Sequence, residues 1–285
     1  MIKQVMSFTV VCFLMACRGV TGEPTGLPPK FDPPRKYYLA LGDSLAFGFQ
    51  FGTFNHYYPS VPPELFVHGY VDDFSQMLQL IRPDIQTINY GCVGETTDTF
   101  IHGGCLYTIQ EFELHDGYSG SQLDAAITFL RSHPGQVSPI TFNLGGNDLK
   151  TLSDLCGYDF SCYERQSPIV LDQITENLDE ILSALRAAAP NSEMITFTNY
   201  NVAFRIEPRF LELTDAFNAV VKTTAAAHGV RVTDVFATFN GPPQPETICR
   251  LTFVCTSGDS HPSDAGYQVI AEQLWQASEY DKPEH

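Results

Sequence analysis

Positive charge is scarce in this chain. Its 285 residues carry 16 Lys and Arg against 33 Asp and Glu, a formal net charge of -17. A protein that tracks phosphates needs a basic face, so the balance argues against a nucleic-acid partner and against electrostatic docking on anionic membranes. Long apolar runs are missing too: after the N-terminal stretch no eighteen consecutive apolar residues occur, so nothing later can span a bilayer. The sequence has no H-E-x-x-H, no G-x-x-x-x-G-K and no C-x2-C or H-x3-H spacing, so no metal and no cofactor is expected. Charged residues make up only 17% and aromatics a full 12%, which excludes a disordered chain. The length suits one large domain with a substantial core.

The N-terminus reads as a targeting segment. Lys3 precedes an apolar stretch over residues 5–16 that is too short to cross a membrane, so residues 1–16 are expected to be a signal peptide. Leu14-Met15-Ala16-Cys17 resembles the lipobox of bacterial lipoproteins, in which cleavage leaves the cysteine to carry a lipid anchor. Cys17 is therefore a candidate lipid anchor, the alternative being an ordinary signal peptide with an incidental cysteine. Residues 17–35 read as a tether, with five prolines and three glycines in positions 18–35. The expected location is extracytoplasmic, secreted or in the cell envelope, with membrane attachment only through a lipidated Cys17. Export makes disulfides permissible. Apart from Cys12 and Cys17, six cysteines fall into close couples: Cys92 with Cys105, Cys156 with Cys162, Cys249 with Cys255. Six allow fifteen connectivities, of which neighbour pairing is the simplest.

From residue 36 to 285 one domain is expected. Five short apolar runs, Tyr37 to Leu41, Ile85 to Tyr90, Ile140 to Leu144, Met194 to Thr198 and Val230 to Val235, each end in turn residues. Helical patterns lie between them, notably Val170 to Leu185 before Pro190 and Leu213 to Val221 before Gly229. The alternation predicts an α/β fold, a mainly parallel five-stranded sheet between two helical layers. In such sheets ligands sit at the carboxyl ends of the strands.

Those ends carry the informative residues. The first strand runs into Gly42-Asp43-Ser44, the second into Asn89-Tyr90-Gly91-Cys92-Val93-Gly94, the third into Gly145-Gly146-Asn147-Asp148, and Asp259-Ser260-His261-Pro262 precedes the last helix. Ser44 lacks the second glycine of a G-x-S-x-G elbow, which speaks against an α/β-hydrolase. Four blocks in this order, between residues 42 and 267, resemble the SGNH hydrolase superfamily, also called GDSL-type esterases and lipases, in its secreted bacterial form. The resemblance implies a flavodoxin-like three-layer fold and a serine esterase or lipase acting on a small-molecule or lipid ester, expected to work as a monomer. It implies Ser44 as nucleophile, His261 as base, and an oxyanion hole made of the Ser44 and Gly94 N–H groups and the Asn147 side-chain amide. Asp43 is expected to brace the turn. A histidine base predicts activity rising towards neutral pH.

One position departs from the family pattern. The family's aspartate normally precedes the histidine by three residues, and here that place is Gly258, with aspartate at Asp259. Either Asp259 reaches the imidazole, since residues two apart in an extended segment point the same way, or a main-chain carbonyl near Gly258 holds the ring. The glycine also leaves open a second function: an exported lipoprotein that binds a lipid or glycan without turnover. Two segments could wall the substrate pocket. The aromatic-rich stretch Phe47, Phe49, Phe51, Phe54, Tyr57, Tyr58, Phe66 and Tyr70 either does so or packs a long loop onto the domain, reading as too irregular for a helix. Leu106 to Tyr118 is the other candidate.

Overall fold

The computed structural model describes residues 33–109, 113–202, 209–243 and 245–280. The expected signal peptide, Cys17 and the tether up to residue 32 lie outside the described residues. All of the described residues belong to one compact unit, Phe31–His285. The first half contains β1 (Tyr37–Gly42), α1 (Ser44–Phe47), α2 (Phe51–Tyr57), a single 3-10 turn at Pro63–Leu65, α3 (Tyr70–Ile81) and β2 (Gln86–Asn89). There follow α4 (Thr97–His102), α5 (Leu106–Ile109), α6 (Gln122–Ser132), β3 (Val137–Asn143) and α7 (Gly146–Cys156). The second half adds α8 (Phe160–Ala188), β4 (Met194–Phe197), α9 (Arg209–Ala227), β5 (Arg231–Thr233), α10 (Val235–Phe239), α11 (Glu246–Leu251) and α12 (Asp264–Ser278).

The five strands form one parallel sheet in the order β2-β1-β3-β4-β5. Every residue of β1 and β3 is buried, which explains why these strands read as continuous apolar runs rather than as alternating ones. Alternation persists in the direction of the side chains. Tyr37, Leu39 and Leu41 pack with α6, α8 and α9 through Leu130, Ile181 and Phe217. Tyr38 and Ala40 face the opposite layer, with Phe74 of α3 and Ile270 of α12. The sheet is thus covered on both faces, an α/β/α sandwich. Because β1 is flanked by β2 on one side and β3 on the other, the strand order reverses there, and a crevice opens at the carboxyl ends of β1 and β3.

Two segments differ from the sequence expectation. The aromatic stretch after Ser44 is partly helical, forming α1 and α2. Its rings build a satellite core in which Phe47, Phe49 and Phe66 enclose the Cys92–Cys105 bridge, and packing rather than periodicity decides the conformation. α8 begins ten residues before Val170 and runs through Pro168. The side chain of Asp159 caps its start, accepting N–H bonds from Ser161 and Cys162, and the Cys156–Cys162 bridge ties that end to α7. Ile174, Leu178, Ile181, Leu182 and Leu185 bury the other end. Those contacts outweigh the one backbone hydrogen bond that a helical proline forfeits. The third bridge joins Cys249 to Cys255. Three disulfides suit an oxidising, extracytoplasmic environment. Among the described residues no helix is long and apolar enough to cross a membrane.

Candidate active site

Ser44 sits where β1 turns into α1. Gly42 makes that turn at φ +129°, and a Cβ on it would collide with the Asn143 carbonyl, so only glycine fits. Asp43 caps α1 by accepting the Leu45 N–H at 2.9 Å, the bracing role expected of it. Asn89, at the end of β2, donates to the Ala46 carbonyl at 2.8 Å and holds the short helix from the side.

His261 arrives from the segment between α11 and α12. Its carbonyl accepts the Phe253 N–H at 3.1 Å, and Phe49 presents a ring edge to the imidazole at a centroid distance of 4.9 Å. Nε2 lies 2.9 Å from Ser44 Oγ, and Nδ1 lies 2.6 Å from Asp259 Oδ1. The same Oδ1 accepts the His261 N–H at 3.1 Å, while Oδ2 accepts the Phe51 N–H at 3.0 Å. Of the two arrangements open in the sequence, a carboxylate at 259 or a carbonyl near 258, it is the carboxylate that meets the ring. Burial pushes the Asp259 carboxyl up, but the hydrogen bond to the imidazole, attraction to that ring and the two N–H bonds outweigh it, and the net displacement is downward.

Two further elements converge on Ser44. Gly94 stands at φ +82°, a left-handed conformation suited to glycine, in the loop leaving β2. Asn147 lies in the first turn of α7, where Gly145 rather than Asn147 occupies the cap position. The Asn147 amide donates to the Glu95 carbonyl at 2.9 Å, which fixes its rotamer beside Gly94. Gly94, Asn147, Ser44 and His261 all line one cleft of about 510 Å³. A serine hydroxyl on an imidazole on a carboxylate, beside N–H donors, is an arrangement that can carry acyl transfer.

The family model of the GDSL-like lipase/acylhydrolase family matches residues 40–269. The chain belongs to this family. It is a carboxylic ester hydrolase. Among solved structures, one similar fold is a Parabacteroides merdae protein assigned as a GDSL-like lipase, with TM-score 0.59 and 16% identity over 88% of this chain and 100% of that one. An acetyl xylan esterase from Geobacillus stearothermophilus has TM-score 0.58 and 18% identity over 90% and 100% of the two chains. A phospholipase A1 from Streptomyces albidoflavus has TM-score 0.56 and 17% identity over 85% and 99%. At such identities the likeness is one of fold. No curated protein sequence matches the chain.

The surroundings of the site in this GDSL-family hydrolase contain residues that sequence reasoning missed. Gln122, the first residue of α6, grips both polar groups of Gly42: its Oε1 accepts the Gly42 N–H at 2.6 Å and its Nε2 donates to the Gly42 carbonyl at 3.0 Å. The same Nε2 reaches Glu95 Oε2 at 2.8 Å. Glu95, fully buried, also accepts from Thr99 Oγ1 at 2.6 Å. Asp148 accepts from the Thr97 N–H and hydroxyl at 3.0 and 2.6 Å. Burial, reinforced by repulsion among these acids, pushes Asp43 and Glu95 up to about 7, and burial raises Asp148 as well. No local motif announces such a network. A glutamine after a helix-capping serine, here Ser121, looks like any first-turn residue.

Cys92, Glu95 and Cys105 bring potential ligand atoms within 4.8 Å of one another. Both sulfurs are spent in the Cys92–Cys105 bridge and offer no thiolate, so this donor set does not suit a metal ion. The bridge instead anchors the Gly94 loop two residues from the glycine. As for the two candidate walls, none of the aromatic residues between Phe47 and Tyr70 lines the cleft. Leu106 and Tyr107, from the second segment, do. Residues 110–112 of that segment lie outside the described residues.

Proposed function

We propose that the protein is an exported serine esterase that cleaves carboxylic esters through an acyl-enzyme. The observation that carries this reading is the unbroken hydrogen-bonded chain from Ser44 Oγ through His261 to Asp259. In this mechanism His261 Nε2 removes the Ser44 proton as Oγ attacks the ester carbonyl, and returns it to the departing alcohol oxygen. Water then attacks the acyl carbon as His261 takes its proton, and the second tetrahedral intermediate releases the acid as His261 returns that proton to Ser44 Oγ. Asp259 keeps the Nδ1–H tautomer pointed at it and stabilises the transient imidazolium. The oxyanion is received by the backbone N–H groups of Ser44 and Gly94 and by Asn147 Nδ2. Losing one such donor costs about 3–4 kcal/mol of transition-state stabilisation.

The hydrogen bond of Asp259 to the imidazole weighs against a binding protein without turnover, for which Gly258 was the only sequence ground. The three disulfides support export. The signal peptide 1–16, the tether and a lipid on Cys17 complete the proposal at the N-terminus.

The test is hydrolysis of a p-nitrophenyl ester series, from acetate to a long acyl chain, by the wild type and Ser44→Ala. The expected outcome is turnover by the wild type and a loss of roughly 10⁴-fold or more in the variant. Equal inertness of both proteins on every ester would sink the esterase reading.

A further inference from the structure

The cleft around Ser44 has an apolar part and a polar part, and this division bears on the substrate. Leu45, Val93, Leu106, Tyr107, Tyr200 and Val202 supply the apolar part, while Lys150, Thr151 and Asp154 of α7 supply a polar arm. Lys150 Nζ lies 2.6 Å from Asp154 Oδ2. Lys150 is the one Lys or Arg among the described lining residues, and its charge is cancelled inside the helix that bears it. Such an exposed i, i+4 pair contributes little to stability. What it gives the cleft is donors and acceptors side by side with no net charge. Thr151 Oγ1 donates to the Asn147 carbonyl at 2.9 Å and keeps its lone pairs for an incoming donor.

These features separate ester classes. An anionic headgroup gains most from an unpaired cation in the lining, whereas here the Asp154 carboxylate lines the cleft beside Lys150 and repels an anion. A long acyl chain calls for a continuous apolar wall, but Phe47, Phe49 and Phe66 are buried in the satellite core, and the exposed rings Phe51, Tyr57 and Tyr58 do not line the cleft. A sugar or other polyol is neutral, and each of its hydroxyls both donates and accepts.

We propose that the α7 arm, Lys150, Thr151 and Asp154, binds the hydroxyl-bearing part of the substrate, and that this substrate is a short-chain acyl ester of a neutral polyol or sugar. The proposal rests on the esterase reading above and narrows it.

The test compares the purified wild type, Ser44→Ala and a Lys150→Ala/Asp154→Ala double variant. Alanine is the strongest helix former, so α7 persists in the double variant. The substrates are an acetylated methyl glycoside, p-nitrophenyl acetate and a long-chain triacylglycerol. The expected result is a wild-type kcat/KM on the glycoside acetate well above that on the triacylglycerol. In the double variant, the ratio of kcat/KM on the glycoside acetate to that on p-nitrophenyl acetate falls about tenfold, mainly through KM, as expected for lost hydrogen bonds to hydroxyls. A wild type that prefers the triacylglycerol, or a ratio the double variant does not move, overturns this proposal and leaves the esterase reading standing. Wild type and Ser44→Ala equally inert on all three esters overturn both.

Discussion

Asp259 holds two partners at once, the His261 imidazole through one oxygen and the Phe51 N–H through the other. Both bonds favour the ionised carboxylate and account for its lowered pKa. Removing the carboxylate frees the tautomer and the orientation of the imidazole together. Asp259→Ala is therefore expected to lower kcat by about 10³–10⁴-fold, measured on the best substrate of the ester series. A loss below about tenfold would mean that a main-chain carbonyl holds the ring after all. Asp259→Asn separates the two partners: it retains an acceptor for Phe51 but offers a neutral amide to the histidine, so its kcat should fall nearly as far.

The working parts at the level of elements are the ends of β1, β2 and β3, and one side chain from α6 ties two of them together. Gln122 holds Gly42, two residues before Ser44, and Glu95, the residue after Gly94. It is a positioning residue, with no contact to the reacting atoms. Gln122→Ala leaves the Gly42 N–H and Glu95 short of partners in a buried site, which costs about 1–3 kcal/mol of stability each. A purely structural loss would lower the folded fraction and scale the apparent rate without changing the kinetics of folded molecules. A positioning role predicts a kcat lowered about 10–100-fold per folded active site, with KM nearly unchanged, because the nucleophile and the oxyanion donors lose their mutual register. Titration of active serine with a covalent inhibitor, alongside steady-state kinetics, distinguishes the two.

For the molecule as a whole, the buried acids make stability depend on pH. In an unfolded chain Asp and Glu release their protons near pH 4, whereas in the fold Asp43 and Glu95 release theirs at about 7. Between those limits the folded state binds more protons than the unfolded state. Stability is thus fully present at the acidic end and is lost as pH rises towards about 7, by on the order of a few kcal/mol. Urea unfolding from about pH 5 to about pH 8 should show a falling midpoint, and Glu95→Gln should flatten the slope. A midpoint that rises across this range would contradict the buried-acid account. The proposed N-terminal anchor is tested at the same scale. Expressed with its own leader in a bacterial host, the wild type is expected in the membrane fraction and Cys17→Ser in the soluble one; a soluble wild type would mean an ordinary signal peptide.

By itself the sequence determined the features that depend on near neighbours along the chain. The five apolar runs become the five strands: a parallel sheet covered on both faces buries the whole of β1, β3 and β4, the edge strands β2 and β5 are only partly buried, and turn residues mark the ends. The family was legible from Gly42-Asp43-Ser44, Gly94, Asn147 and His261 because each block lies at a strand end or just before a helix. The close cysteine couples were legible because short loops bring them together. Tertiary structure decided whatever depends on residues far apart. Whether Asp259 faces His261 depends on the bend of a loop that also docks on Phe51, 208 positions away. Whether Phe47, Phe49 and Phe66 wall the cleft or fill a core depends on what covers them, and they pack with Cys92 and Cys105. Gln122 reaches Gly42 across 80 residues, and neither carries any local mark of the other. Periodicity and turn chemistry act within a few residues, whereas close packing and the satisfaction of buried polar groups act only once the chain has closed on itself.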